Sequence, residues 1–186
     1  KNPTAIADLR PVRLQSHLHW AATMRNSLAA LAIRIDTLLI TTLNQQLRPP
    51  RRVSFALAYY LWHLSEPHAD RPAPALDARQ QQGEALFRET CTTCHRPDGT
   101  TAEPVMAARV GTDPAVADSP TRGTGHYRIP TLRGVADRSQ YLHTGSVDSL
   151  PELFAPGRPA DTPGHPWGTD LTADQRRALV DYLQTL

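Results

Sequence analysis

The chain has 186 residues, enough for one domain of ordinary size or for a domain carrying a helical extension. A formal charge of +2 excludes the strongly basic surface that nucleic acid or an anionic membrane would attract. The longest nearly apolar run, Val53 to Leu64, is too short to span a bilayer, so no transmembrane segment is expected.

Residues 1–15 are interrupted by proline and are predicted to be extended. From about Ser16 to Leu47, apolar residues recur at three- and four-residue steps (Leu28, Ala32, Ile35, Leu39, Leu43), which predicts one long helix. Pro49 and Pro50 stop it. Val53 to Leu64 reads as a second helix, apolar nearly all round, and such a helix is expected to lie between other elements. Residues 65–76, with Pro67, Pro72 and Pro74, read as a linker or wrapping loop.

A third helix starts at Asp77, its N-cap, with Gln80 at the capping-box position and Gly83, Leu86 and Phe87 on one face. Residues 96–130 are rich in loop signals. A short turn is expected around Leu132–Gly134, and Ser149–Phe154 predicts a short helix with Pro151 in its first turn. The last helix is capped by Thr172 with Gln175 and striped by Leu179, Tyr182, Leu183 and Leu186. The expected fold class is all-α, with 1–70 a helical extension packed on a domain spanning 77–186. Its 17 prolines imply long connections, and loops of that length are usually functional or packed around something.

What they pack around is indicated by Cys91-Thr92-Thr93-Cys94-His95. This run holds both cysteines of the chain in a C-x-x-C-H pattern, the attachment signature of c-type haem. At the end of a helix, residues three and four apart share a face, so Cys91, Cys94 and His95 point the same way. The two thiols can then form thioethers with the vinyl groups of one porphyrin, and His95 lies under the iron as a neutral proximal imidazole. A zinc site would need two more ligands at matching spacing, and none follows. A thioredoxin-like pair would want a strand before it and a helix after it, whereas here a helix precedes and the turn Pro97-Asp98-Gly99 follows. One covalent haem c is therefore the expected cofactor. Thioether attachment implies export, so a periplasmic or extracellular compartment is expected. Lys1 is not followed by the apolar stretch of a signal peptide, which reads as a processed chain or a fragment.

The helix bearing Gly83 and Phe87 ahead of C-x-x-C-H, together with the terminal helix bearing Leu179 and Tyr182, resembles the cytochrome c fold, in which first and last helices cross at a glycine. The resemblance extends further. Gly123-Thr124-Gly125-His126-Tyr127-Arg128-Ile129-Pro130-Thr131-Leu132-Arg133-Gly134-Val135 is followed by Tyr141-Leu142-His143-Thr144-Gly145-Ser146. Then come Leu150 with Phe154 and Gly164-His165-Pro166-Trp167-Gly168. This order is similar to the C-terminal, electron-transferring haem domain of the bacterial di-haem cytochrome c peroxidase superfamily, closest to its rubber-oxygenase-like branch. Val53–Leu64 and the Arg13-to-Trp20 region resemble segments just upstream of that domain. Members carry two C-x-x-C-H motifs and this chain has one, so the resemblance does not bring an enzyme activity with it.

The resemblance places the sixth iron ligand at His143. The residues agree: His143 sits in a turn beside apolar Leu142, far enough along the chain to fold back over the ring. Met106, flanked by Val105 and Ala107, is the alternative, a thioether that would raise the potential. His126 and His165 lie next to glycines and read as partners for a propionate or a backbone carbonyl. Met24, His17, His19, His63 and His68 read as packing or surface residues.

Arg128, Arg133 and Arg138 flank the proposed distal loop, and Arg96 follows His95. One or two are expected to pair with propionates and the others to be solvated. Tyr127 and Trp167 are expected against the porphyrin edge or in the core. A filled sixth position leaves no site for substrate. The expected function is single-electron transfer between redox partner proteins, with a haem peroxidase or oxygenase, or a subunit of a di-haem enzyme, as the alternative. Residues 1–70, too long and apolar for a simple tail, are further expected to meet other chains of a larger complex.

Overall fold

The computed structural model describes residues 8–41, 49–64, 75–158 and 163–186. Its helices are α1 (Leu28–Thr41), α2 (Arg51–His63), α3 (Ala78–Thr90), α4 (Ala107–Val110), α5 (Leu150–Leu153) and α6 (Ala173–Leu183). Two antiparallel ribbons of two-residue strands accompany them. In one, β1 (His17–Leu18) pairs with β2 (Met24–Arg25); in the other, β3 (Val105–Met106) pairs with β4 (His126–Tyr127). The fold is therefore all-α in class. No described helix is long and apolar enough to cross a membrane.

The helices that frame the site begin where their side chains satisfy the free N–H groups of a first turn. Asp77 accepts from the Gln80 N–H at 2.8 Å while Gln80 accepts from the Asp77 N–H at 2.9 Å. Thr172 and Gln175 form the same reciprocal pair at the start of α6. Further on, α3 and α6 cross at Gly83. A Cβ there would lie 1.9 Å from the Ala178 carbonyl oxygen, so only a glycine admits the α6 backbone so closely. One turn away Phe87 and Tyr182 meet with ring centroids 5.4 Å apart, and with Leu179, Leu183, Phe154 and Val147 they form the main core. The short helix α5 starts at Ser149, whose hydroxyl accepts from the Glu152 N–H, with Pro151 in its first turn. The turn expected near Leu132–Gly134 is a 3-10 helix at Val135–Asp137.

The N-terminal part departs from its expectation. The single helix foreseen from Ser16 is a β-ribbon over 17–25 followed by a helix that starts only at Leu28, where the Ser27 hydroxyl accepts from the Ala30 N–H at 3.0 Å. His19 and Ala22 turn the ribbon with positive φ angles of 63° and 50°, a backbone state that ends any helix. Residues 42–47 of that expectation, and 65–74 of the wrapping loop, lie outside the described residues. Nor is α2 enclosed: it packs on α1 through Ala58 and through Ser54, which donates to buried Asp36, while Phe55, Leu57, Tyr59 and Tyr60 stand exposed.

The segment before α1 is stitched along the loops of the other half. The Thr101 N–H donates to the Leu14 carbonyl (3.2 Å), Ser16 bonds to Thr101 and Ala102, and the Arg128 N–H donates to the Trp20 carbonyl (2.9 Å).

Candidate functional site

α3 ends at Thr90, but the Cys91 carbonyl accepts from the N–H groups of Cys94 (3.1 Å) and His95 (2.9 Å), so the chain makes one more turn. That turn sets Cys91, Cys94 and His95 on the wall of one cavity. The cysteines are not joined to each other. Burial pushes the Cys91 thiol up to about 11.

Burial, with His165 close by, lowers the His95 imidazole to about 3, which keeps it neutral. Its Nδ1 is buried without a partner of ordinary hydrogen-bond geometry, although the Pro130 carbonyl lies close enough to favour a proton on the ring. His165 reaches the same cavity from the loop after α5. That loop is pinned: the His165 N–H donates to the Val110 carbonyl (2.8 Å), and Arg158 donates to the carbonyls of Gly164 and His165. Gly164, at φ 109°, lies so close to Thr112 that a Cβ would come within 2.6 Å of the threonine Cβ. Trp167 and Phe154 stand edge-on to the His165 ring at 5.4 and 6.1 Å. Burial and Arg158 lower this imidazole to about 4, and its Nδ1 also lacks a partner.

The ring centroids of His95 and His165 are 6.4 Å apart. A metal-bound imidazole nitrogen lies about 2 Å from its ion and the ring adds roughly 1 Å on each side, so two imidazoles facing across one ion have centroids roughly 6 Å apart. The observed separation suits a shared metal.

His143 is also buried on the cavity wall, but both its nitrogens are taken. Nδ1 lies 3.2 Å from the Thr112 hydroxyl and Nε2 3.2 Å from the Tyr127 hydroxyl, with the ring stacked on Tyr127 at 4.4 Å. The Tyr127 hydroxyl donates to the Asp113 carbonyl, so it accepts from Nε2–H, and Nδ1 in turn accepts from Thr112. His143 and His165 thus share one cavity wall, His143 with each ring nitrogen within hydrogen-bond distance of a hydroxyl. Met106, the other candidate, is 59 % exposed on β3 and is not among the residues lining this cavity.

Arg128, Tyr127 and Trp167 all line the cavity wall. Of the remaining arginines, Arg138 is mostly buried on the wall, Arg133 half-buried and Arg96 exposed. His126 bonds the Thr124 carbonyl away from the cavity. Sequence reasoning missed Gln15 and Trp20, which line the wall from the N-terminal segment. His165, read from the sequence as a partner for a propionate or a backbone carbonyl, lies on the same wall between Gly164 and Pro166-Trp167-Gly168. The donor set suits a haem: two thiols, two neutral imidazoles, an apolar wall that includes Leu132, Val135 and Leu150, and the guanidinium groups of buried Arg128 and half-buried Arg138.

Comparison with protein-family models matches residues 80–186 to the family described as Cytochrome c. A search of curated proteins finds no match. Among solved structures, the chain is similar to the crystal structure of a MauG-like protein associated with microbial copper homeostasis. The TM-score is 0.65 at 19 % identity, with 99 % of this chain and 73 % of that chain covered. At that identity the likeness is one of fold, and it fits the resemblance drawn from the sequence.

Proposed function

Because the chain belongs to the cytochrome c family, we propose that it carries single electrons through one haem c, joined covalently to Cys91 and Cys94 and held axially by His95 and His165. The haem, when bound, supplies the one-electron couple. The chain's own residues hold and shield it. Phe154 and Trp167 fix the His165 ring, the pinned loop from Gly164 to Gly168 fixes its backbone, and burial keeps both imidazoles unprotonated so that each offers a lone pair. Ligation of the iron by both imidazoles would leave no position for a substrate, which supports electron transfer over catalysis. The single observation that supports this reading is that His95 and His165 line one cavity with ring centroids 6.4 Å apart.

Electron paramagnetic resonance of the oxidised protein tests it. A six-coordinate low-spin signal is expected, and His165→Ala should turn it high-spin and let carbon monoxide bind the reduced form, while His143→Ala stays low-spin. Conversion by His143→Ala, with His165→Ala unchanged, would restore the sequence assignment. Redox partner proteins belong to the same proposal. Exposed Phe55, Leu57, Tyr59 and Tyr60 support contact of the 1–70 extension with another chain. Thioether chemistry supports a periplasmic or extracellular place.

A further inference from the structure

Contact with another chain would cover the exposed side of α2, but it does not by itself account for the charge there. The described residues of 28–41 and 49–64 contain one acid, Asp36, and it is buried and accepts from the Ser54 hydroxyl. Arg51 and Arg52 stand exposed at the start of α2. Beyond them Val53, Phe55, Leu57, Tyr59 and Tyr60 are each between 42 and 62 % exposed.

Helix geometry gathers these groups. Ala56 lies four residues after Arg52, and Tyr59 and Tyr60 lie three and four after Ala56, so one stripe runs from the cation to the two phenols. Phe55, Tyr59 and His63 line up beside it, with successive ring centroids 6.5 and 4.0 Å apart. Ser54 and Ala58, which seat the helix on α1, lie on the opposite side. A second copy paired through this same face would bring the same arginines and no carboxylate to meet them. A lipid surface with anionic headgroups offers phosphate for the cations and an apolar layer for the rings. Both helices are short: at 14 and 13 residues each rises about 20 Å, less than the roughly 30 Å hydrocarbon core of a bilayer, so the pair can lie on a membrane and not across it.

We propose that the outer face of α2 docks on a lipid surface with anionic headgroups. Phe55, Leu57, Tyr59 and Tyr60 enter the boundary between headgroups and acyl chains, and Arg51 and Arg52 pair with lipid phosphates. Tyrosine suits that depth because its ring is apolar while its hydroxyl stays among the headgroups. A formal charge of +2 gives little attraction at a distance. Apolar contact therefore supplies most of the binding, and the two arginines supply the preference for anionic lipid. This goes beyond the haem reading and does not depend on it, since no residue of α2 lines the cavity that holds Cys91, Cys94 and His95.

Cosedimentation of the haem-loaded full chain with vesicles tests the contact. Vesicles of phosphatidylcholine and phosphatidylglycerol in equal parts are expected to carry the chain down, and added salt should weaken the binding. Phe55→Ser with Tyr60→Ser should lower the partition coefficient on the order of tenfold or more. Arg51→Gln with Arg52→Gln should lower it on the order of thirtyfold on these vesicles, and by less than about threefold on phosphatidylcholine alone. Arg177→Gln, at an exposed position on α6, should leave it unchanged. A chain that stays in solution beside the mixed vesicles overturns the proposal, as does binding that both double variants leave intact. Self-association of the vesicle-free chain that Phe55→Ser with Tyr60→Ser abolishes also overturns it, because a second copy would then be the cover. If the serine variant does not fold, the arginine variant decides, since its two residues are exposed at the helix start. The low-spin haem signal is read separately, so a failed haem assignment and a failed lipid contact give different results.

Discussion

The α3–α6 pair and the α1–α2 pair are built from helices of similar length, 11 to 14 residues, but only the first is enclosed. By composition the opposite would be expected: α2 is nearly all apolar and aromatic, whereas α3 is rich in Gln, Glu and Arg. What closes α3 is local fit. Gly83 admits the α6 backbone, Phe87 fills the space below it, and the loops that carry His143 and His165 fold over the result. α2 is seated on α1 by Ala58, by partly buried Leu61 and Trp62 and by the Ser54–Asp36 hydrogen bond, while Phe55, Leu57, Tyr59 and Tyr60 stay exposed among the described residues. Apolar content says that a surface wants covering; complementary shape says where the cover comes from.

The sharpest way to break this contrast is at the crossing itself. Gly83→Leu would drive side-chain atoms into the Ala178 carbonyl and the Tyr182 Cβ, neither of which can move without shifting α6. Overpacking of that kind is expected to cost about 3 kcal/mol or more, read as a lower denaturant midpoint for the haem-loaded protein. A variant as stable as the parent would mean that the two helices are not held as closely as described.

Acid should separate the two regions next. His165 takes a proton near 6.5 when unfolded but only near about 4 when folded. Between those values the unfolded state binds more protons, so stability present at neutral pH is lost as pH falls from about 6.5 toward 4, by roughly 3 kcal/mol for this ring. His95, lowered to about 3, adds in the same direction, and an iron that competes with the proton for the same nitrogen deepens the effect. No imidazole stands in the described core of α1 and α2. The low-spin haem band is therefore expected to disappear in acid before the helical far-ultraviolet signal does; loss of both in one step would show the two regions to be a single cooperative unit.

What the sequence disclosed, and what it withheld, follows the same division between local and tertiary fit. The caps at Asp77 and Thr172 were legible because each is settled within four residues. The C-x-x-C-H turn was legible because helix geometry alone brings its three side chains to one face. The surroundings of His143 and His165 were not: Thr112 bonds the one ring and packs against the glycine beside the other, and Tyr127 lies within hydrogen-bond distance of the His143 Nε2. Neither contact leaves a periodic mark in the chain. The ribbon over 17–25 was hidden for a related reason: its apolar spacing continues into α1, and only the positive φ angles at His19 and Ala22 betray the turn. That Gln15 and Trp20 surround the buried Arg128 was likewise not legible, because both lie more than a hundred residues away in the chain.

The smallest expected effect bears on the least finished surface. Tyr60 is 62 % exposed on the outer side of α2, so Tyr60→Ser removes few contacts and returns little area to water. For a chain whose α2 stays bare, the substitution should change stability by about 0.5 kcal/mol or less, with no change in apparent size across a range of protein concentrations. A surface covered by a second chain behaves otherwise, because a tyrosine seated in an interface contributes both its area and its ring contacts. Tyr60→Ser would then lower the midpoint in a concentration-dependent way and shift the assembly toward single chains. That outcome would make α2 as enclosed as α3, with its cover supplied from outside the chain, and the contrast between the two helix pairs would become one between a lobe that closes on itself and one that closes on a partner.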